Sequence, residues 1–183
     1  MFISVADLEI RRLVFQEEYP AGTLLLGEDA RLALPLRASG HAELVREHRG
    51  ARAVVNDIRF VGKLATQVEL RCARCLEPVR RDLESGFDLL YRPLGVDAGP
   101  HERSVGDADL EIGYYEGDGL ELEDVLKEQV LLAVPIKAVC REDCRGLCPH
   151  CGRNLNAESC TCAQDAPDVR WSALKDIRDK LQS

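Results

Sequence analysis

Leu64-Ala-Thr-Gln-Val-Glu-Leu-Arg-Cys-Ala-Arg-Cys-Leu-Glu-Pro-Val79 is the stretch on which the fold turns. Leu64, Thr66, Val68 and Leu70 alternate with Ala65, Gln67, Glu69 and Arg71, the period of two that marks a half-buried strand. That strand runs straight into Cys72-Ala-Arg-Cys75. Val79, Arg81 and Leu83 resume the alternation on the far side, and Phe87, Leu89 and Tyr91 continue it after a break at Ser85-Gly86. The first cysteine pair therefore caps a hairpin. Working outward, Leu32, Leu34 and Leu36 form a second alternating set over 31–37, with Pro35 marking an edge strand or strand end. Segments 42–47 and 53–61 fill out the sheet.

Towards the carboxy terminus the pattern changes. Pro93, Gly95, Gly99, Pro100 and Gly106 make 92–108 a loop, and a short strand follows over 110–115. Asp118 and Glu121 have the spacing of a capping box. Leu122, Val125, Leu126, Gln129, Val130 and Ala133 recur at helical spacing until Pro135, which predicts a helix over 119–134. After Pro167, Trp171, Leu174, Ile177 and Leu181 outline a short amphipathic helix. The expected fold class is α+β: an antiparallel, Greek-key or barrel-like sheet with one buried helix, then a Cys-rich metal-knuckle segment and a short C-terminal helix. The division follows as 1–136 for the sheet body and 137–183 for the Cys-rich tail packed on it.

With 183 residues, 45% hydrophobic and 31% charged, whole-chain disorder is excluded. Aromatics at 5% require a core of Leu, Val and Ala. A net charge of −8 argues against coating nucleic acid with the whole surface, so any such contact has to be a local patch. The amino terminus lacks the features of a secretory signal, and the apolar run 130–135 is far below the roughly 18 residues of a membrane span. A soluble, cytoplasmic protein is expected, with no membrane partner.

The eight cysteines lie at 72, 75, 140, 144, 148, 151, 160 and 162. In a reducing compartment they read as metal ligands rather than disulfides. Cys148-Pro-His-Cys151-Gly152 is a knuckle: two intervening residues let both thiols face one ion, and Gly152 permits the turn. Either Cys160 and Cys162 or the competing pair Cys140 and Cys144 can complete that site; the preferred partition is Cys148, Cys151, Cys160 and Cys162 at a first site and Cys72, Cys75, Cys140 and Cys144 at a second that clamps the tail to the hairpin. Zn2+, one or two per chain, is the expected metal, with an Fe–S cluster as the minor alternative. The C-x3-C-x2-C spacing of Cys144, Cys148 and Cys151 is also that of radical S-adenosylmethionine enzymes, but the chain after Cys151 is too short for the barrel they require. No G-x-S-x-G, phosphate-binding loop or H-E-x-x-H occurs. His41, His48, His101 and His150 are scattered, the last a spacer between thiols, and no catalytic residues are expected.

Charge is distributed unevenly. Arg71, Arg74, Arg80 and Arg81 face only Glu77 within 71–81, and Lys137, Arg141, Arg145 and Arg153 face Glu142 and Asp143 within 137–153. These eight are the candidate RNA-binding residues, since Arg offers planar bidentate contacts to phosphate. The acidic excess, Asp107 to Glu128 especially, is a candidate face for a basic protein.

The strand ending in Cys72-Ala-Arg-Cys75, the helix Leu122 to Pro135, Cys140-Arg-Glu-Asp-Cys-Arg-Gly-Leu-Cys-Pro-His-Cys-Gly-Arg-Asn-Leu-Asn156, Cys160-Thr-Cys162 and Arg170-Trp-Ser-Ala-Leu-Lys175 together resemble the bacterial YceD family. The resemblance runs from about residue 30 to the end. It implies ribosome biogenesis: a requirement for accumulation of 23S rRNA of the large subunit, with an rRNA precursor or assembly intermediate as partner. It brings no catalytic residues, and the metal partition rests on spacing alone. The expected function is a non-enzymatic factor that binds pre-rRNA or an assembly intermediate. The alternative is an adaptor or chaperone for a basic large-subunit ribosomal protein.

Overall fold

The computed structural model describes residues 1–24, 26–27, 30–49, 53–96 and 112–162. The expected terminal helix and most of the expected 92–108 loop lie outside them. The elements in chain order are β1 (Phe2–Ser4), α1 (Val5–Ile10), β2 (Leu13–Tyr19), β3 (Ala30–Leu32), β4 (Leu36–Arg49), β5 (Ala53–Arg71), β6 (Pro78–Pro93), β7 (Ile112–Tyr115), β8 (Gly119–Glu121) and α2 (Leu122–Ala133). No helix among the described residues is long and apolar enough to cross a membrane.

A six-stranded sheet carries the body, in the order β2-β4-β5-β6-β7. Its strands pair antiparallel except for β6 and β7, which run parallel. The α+β class and the mainly antiparallel sheet are as the alternation indicated. β5 is the spine: β4 pairs with its first two thirds and β3 with its last residues, Ala30 opposite Leu70 and Leu32 opposite Val68. Segment 31–37 is thus two strands rather than one. The backbone N–H groups of Ala33 and Leu34 both donate to Gln67 O, at 2.7 and 3.2 Å. Two residues facing one is a bulge, and Pro35, with no N–H to donate, separates the pieces. The expected break at Ser85-Gly86 does not occur. β6 runs through it unbroken, with Gly86 opposite Lys63, because a glycine costs a strand entropy but removes no hydrogen bond.

The buried face is built from Ile58, Phe60, Leu64, Val68 and Leu70 of β5, Leu83, Phe87 and Tyr91 of β6, and Leu36, Ala38 and Ala42 of β4. Leu122, Val125, Leu126 and Val130 of α2 cover it. Each fully buried Leu, Ile, Val or Phe side chain among them contributes roughly 1.5–3 kcal/mol. One row across the sheet dispenses with side chains. Gly40 and Gly62 face each other, flanked by Phe15 and Phe87. A Cβ on Gly40 would lie 2.3 Å from Val61 O and 2.9 Å from the Phe15 ring, and one on Gly62 would lie 2.8 Å from the Phe87 ring. The phenyl rings occupy the space that the two glycines leave. At the far end of the sheet the Arg92 guanidinium, 4% exposed, pairs with Asp57, 1% exposed, at 2.9 Å and also with Glu47.

α2 begins later than expected. Gly119–Glu121 are extended and pair with Phe2–Ser4, the Leu122 N–H donates to Met1 O, and Glu121 takes the N-cap position with no side-chain bond. The Asp118/Glu121 capping box is therefore not made: strand pairing with the amino terminus satisfies the backbone there instead. The amino terminus also holds a short helix. α1 is capped by Ser4, whose hydroxyl accepts from the Asp7 N–H and donates to the Asp7 carboxylate.

Candidate metal centres

The β5–β6 hairpin closes at Arg71 opposite Pro78, leaving residues 72–77 as its tip. Inside the tip, the Cys72 N–H donates to Glu77 O and the Leu76 N–H to Cys72 O, at 2.8 and 2.9 Å. Leu76 takes a positive φ of 62°, the left-handed conformation that lets so short a turn close. Cys72 and Cys75 point inward and are buried, while Leu76 is left exposed.

The tail reaches this tip immediately after α2. Ala138 is buried in the main core, and its carbonyl accepts the Ala73 N–H at 2.8 Å. The Leu147 N–H donates to Arg74 O at 3.0 Å, an approach that Gly146 permits, since a Cβ there would lie 3.0 Å from that same oxygen. Arg74 answers with its guanidinium, donating to Glu142 O and Cys144 O at 2.8 and 2.9 Å. Arg81 donates to Val139 O at 2.6 Å.

These contacts gather Cys72, Cys75, Cys140 and Cys144 so that their Sγ atoms all lie within 4.8 Å of one another. Cys72 and Cys144 are 3.9 Å apart, Cys75 and Cys140 3.7 Å. A tetrahedral ion with Zn–S bonds of about 2.3 Å has sulfur–sulfur edges of about 3.8 Å, whereas a disulfide requires about 2.05 Å. All eight cysteines are free. Cys148, Cys151, Cys160 and Cys162 form the other group within the same 4.8 Å limit. Its frame is a small hairpin in which Leu147 bridges Asn154, the Cys148 N–H donates to Arg153 O and the Gly152 N–H, at φ 73°, to Cys148 O.

The thiols in each group are electrostatically at odds. Backbone N–H groups of Arg74 and Cys75 hold Cys72 down at about 6, while burial pushes Cys140 up to about 12. Likewise N–H groups of Cys151 and His150 hold Cys148 at about 6, and a hydrogen bond to Cys151, with burial, pushes Cys162 up to about 12. Burial works to raise Cys144, but the Asn156 amide and the Gly146 N–H bring it below its ordinary range. Four thiolates in one place repel, so some keep protons; a bound dication removes the conflict. The donor set, its spacing and its charge fit a tetrahedral metal ion at each group.

The chain matches the family model described as "Large ribosomal RNA subunit accumulation protein YceD" over residues 60–178, which includes the hairpin and all eight cysteines. The chain belongs to the YceD family. Among its relatives, an uncharacterized protein of Mycobacterium tuberculosis is 30% identical over 148 residues, covering 81% of this chain and 69% of that one. The chloroplastic large ribosomal RNA subunit accumulation protein YCED homolog 1 of Arabidopsis thaliana is 27% identical over 150 residues, 68% of this chain and 46% of the relative. The uncharacterized protein YlbN of Bacillus subtilis is 24% identical over 153 residues, 83% and 79% of the two chains. No solved structure matches.

Within this YceD chain the candidate RNA-contact residues fall into three kinds. Arg74 and Arg81 hold the tail by donating to its carbonyls. Arg80, Arg141 and Arg153 are exposed but paired with Glu69, Asp143 and Glu158. Arg71, Lys137 and Arg145 are exposed and form no ion pair with the described residues. Of the acidic stretch 107–128, residues 107–111 lie outside the described residues, while Glu123 and Asp124 are exposed in the first turn of α2. Sequence reasoning missed Asn154 and Asn156, whose side chains organise the loop between the thiol pairs. Asn-x-Asn between two cysteine pairs is the local signal for such a turn.

Proposed function

We infer that this protein is a non-enzymatic ribosome biogenesis factor, acting in the synthesis, processing or accumulation of 23S rRNA by binding pre-rRNA or a large-subunit assembly intermediate in the cytoplasm. One observation carries the reading: two tetrathiol groups fasten a basic tail beside a basic hairpin, in a chain of a family described by large ribosomal RNA subunit accumulation. Each group would hold one Zn2+, with Cys72, Cys75, Cys140 and Cys144 at one centre and Cys148, Cys151, Cys160 and Cys162 at the other. The metal's contribution is charge neutralisation and a rigid crosslink. An iron–sulfur cluster spreads its thiolates over several iron atoms, so sulfurs crowded within 4.8 Å suit a single ion better.

Of the eight candidate residues, Arg71, Lys137 and Arg145 form no ion pair with the described residues and would meet phosphate directly, and Arg80, Arg141 and Arg153 would exchange a carboxylate for one. Replacing Arg71, Lys137 and Arg145 by Glu should weaken binding of the metal-loaded protein to precursor 23S rRNA at low salt at least tenfold. It should also flatten the salt dependence, by roughly 0.7 in log–log slope per lost contact to single-stranded RNA. Unchanged affinity would reject this surface. Association with pre-ribosomal particles should disappear after nuclease digestion. Survival of a protein partner would instead favour the acidic-face adaptor, and cleavage of precursor rRNA by the pure protein would reject the non-enzymatic reading.

A further inference from the structure

Asn156 lies between Cys151 and Cys160, in the loop that one centre closes, yet its side chain reaches the other. Its amide Nδ2 donates to Cys144 Sγ at 3.3 Å, and its Oδ1 accepts from the Arg145 N–H at 2.8 Å and from the Arg141 guanidinium at 2.9 Å. Asn154 fixes this pose: its Oδ1 accepts from the Asn156 N–H and amide at 3.0 and 2.9 Å, and its own amide donates to Glu77 on the hairpin at 3.4 Å. The Leu155 N–H donates to Gly146 O at 2.9 Å, midway between Cys144 and Cys148.

Closing the Cys148 centre therefore orders the loop that supplies a hydrogen bond to a ligand of the Cys72 centre. We propose that Asn156 couples the two tetrathiol centres, so that filling either one raises the affinity of the other. The proposal rests on the reading that both centres bind metal. The physical basis is twofold. A hydrogen bond to a ligating sulfur fixes its orientation and stabilises its negative charge, and loss of such an outer partner typically costs about 10–100-fold in metal affinity. Coupling between two binding equilibria is also reciprocal, so the Cys72 centre must strengthen the Cys148 centre by the same factor. Asn156 is a positioning residue here: it acts on the metal through Cys144.

The test is a zinc titration followed by native mass spectrometry, with transfer of Zn2+ to a chromogenic chelator and Co2+ substitution to read thiolate-to-metal absorption. Variants with Cys148 and Cys151 replaced by Ser isolate the Cys72 centre, and those with Cys72 and Cys75 replaced isolate the other. The coupled account expects few one-zinc species in the native chain. It expects each isolated centre to release zinc at least about tenfold more readily than the same centre in the two-site protein. Asn156→Asp keeps an oxygen for Arg145 and Arg141 but faces Cys144 with an acceptor in place of a donor. It should therefore reproduce the weakened Cys72 centre in a folded chain. Independent, statistical filling together with unchanged zinc retention in Asn156→Asp overturns the coupling alone. A native chain that takes up no zinc at either centre overturns the metal reading beneath it.

Discussion

The sheet body and the Cys-rich tail are held by different physics. The body has pairing registers that run over most of β4, β5 and β6, and a core of fully buried Ile58, Phe60, Leu64, Leu122 and Leu126. The stretch from Val134 to Cys162 has no helix and no strand beyond one isolated bridge; apart from Val134 and Ala138 at its start, which join the main core, its apolar packing is Val139, Leu147 and Cys144 around Cys72, Cys75 and Val79. A segment that buries so little apolar surface cannot offset the roughly 1–2 kcal/mol per residue that ordering its backbone costs. On the proposed reading, metal held by the thiols supplies the rest, beside the hydrogen bonds from Arg74, Arg81 and Asn154. The body should therefore survive without metal and the tail should not.

The largest expected effect breaks the comparison on the tail side. Chelation of the native protein, or Cys72→Ser, should increase protease cleavage within 137–162 at least about 100-fold, because a structural zinc site contributes roughly 10–16 kcal/mol in small zinc-finger peptides. The sheet should keep its far-ultraviolet circular dichroism. An equally resistant tail after verified metal loss would show that packing alone holds it.

Next come changes confined to the body. Asp57→Ala removes the buried carboxylate that pairs with the Arg92 guanidinium at 2.9 Å and should cost about 3–5 kcal/mol. At about 2–4 °C per kcal/mol for a domain of this size, the loss is readable in Tm. Gly62→Ala forces a methyl group against Ser39 O at 2.7 Å and the Phe87 ring, for about 1–3 kcal/mol. Both variants should retain the full metal content, and loss of metal from either would mean the two regions are not separable.

The smallest effect sharpens the comparison by showing what surface charge contributes. Arg59 lies across the strands from Asp88, with N–O contacts of 2.7 and 2.8 Å, and its hydrogen bond holds the Asp88 carboxyl below its ordinary range. A carboxyl depressed in the folded state stabilises above its unfolded value, about 3.9. That contribution is lost as pH falls through the depressed value. Asp88→Asn should accordingly leave Tm at neutral pH nearly unchanged, as exposed pairs do, and slightly blunt the acid sensitivity below pH 4.

The parts legible in the sequence were those written as periodicity. Leu64, Thr66, Val68 and Leu70 gave β5 its buried face, and the pause between Arg71 and Val79 gave the hairpin tip. Leu122 through Val130 located α2. What was not legible depended on partners distant in the chain. Gly119–Glu121 becomes a strand because Phe2–Ser4 comes to lie beside it, which no local pattern encodes. Pro35 marked a strand end, but the bulge before it is visible only against Gln67 O. At the site, thiol spacing named the two groups of four that the structure gathers, while the distribution of arginines did not reveal that Arg74 and Arg81 spend donors on tail carbonyls. Arginine's long side chain makes its partner a matter of tertiary structure. Asn156 was hidden because its two bonding ends reach back 12 and 11 residues to Cys144 and Arg145, beyond any local motif.

The most direct test of the account is the number of metal ions per chain, measured by native mass spectrometry with elemental analysis on protein purified without added metal or chelator. The account predicts two zinc ions per chain. It also predicts a fall in zinc content when Cys72 and Cys75, or Cys148 and Cys151, are replaced by Ser. A chain that carries no metal while residues 137–162 remain protected from protease would contradict it.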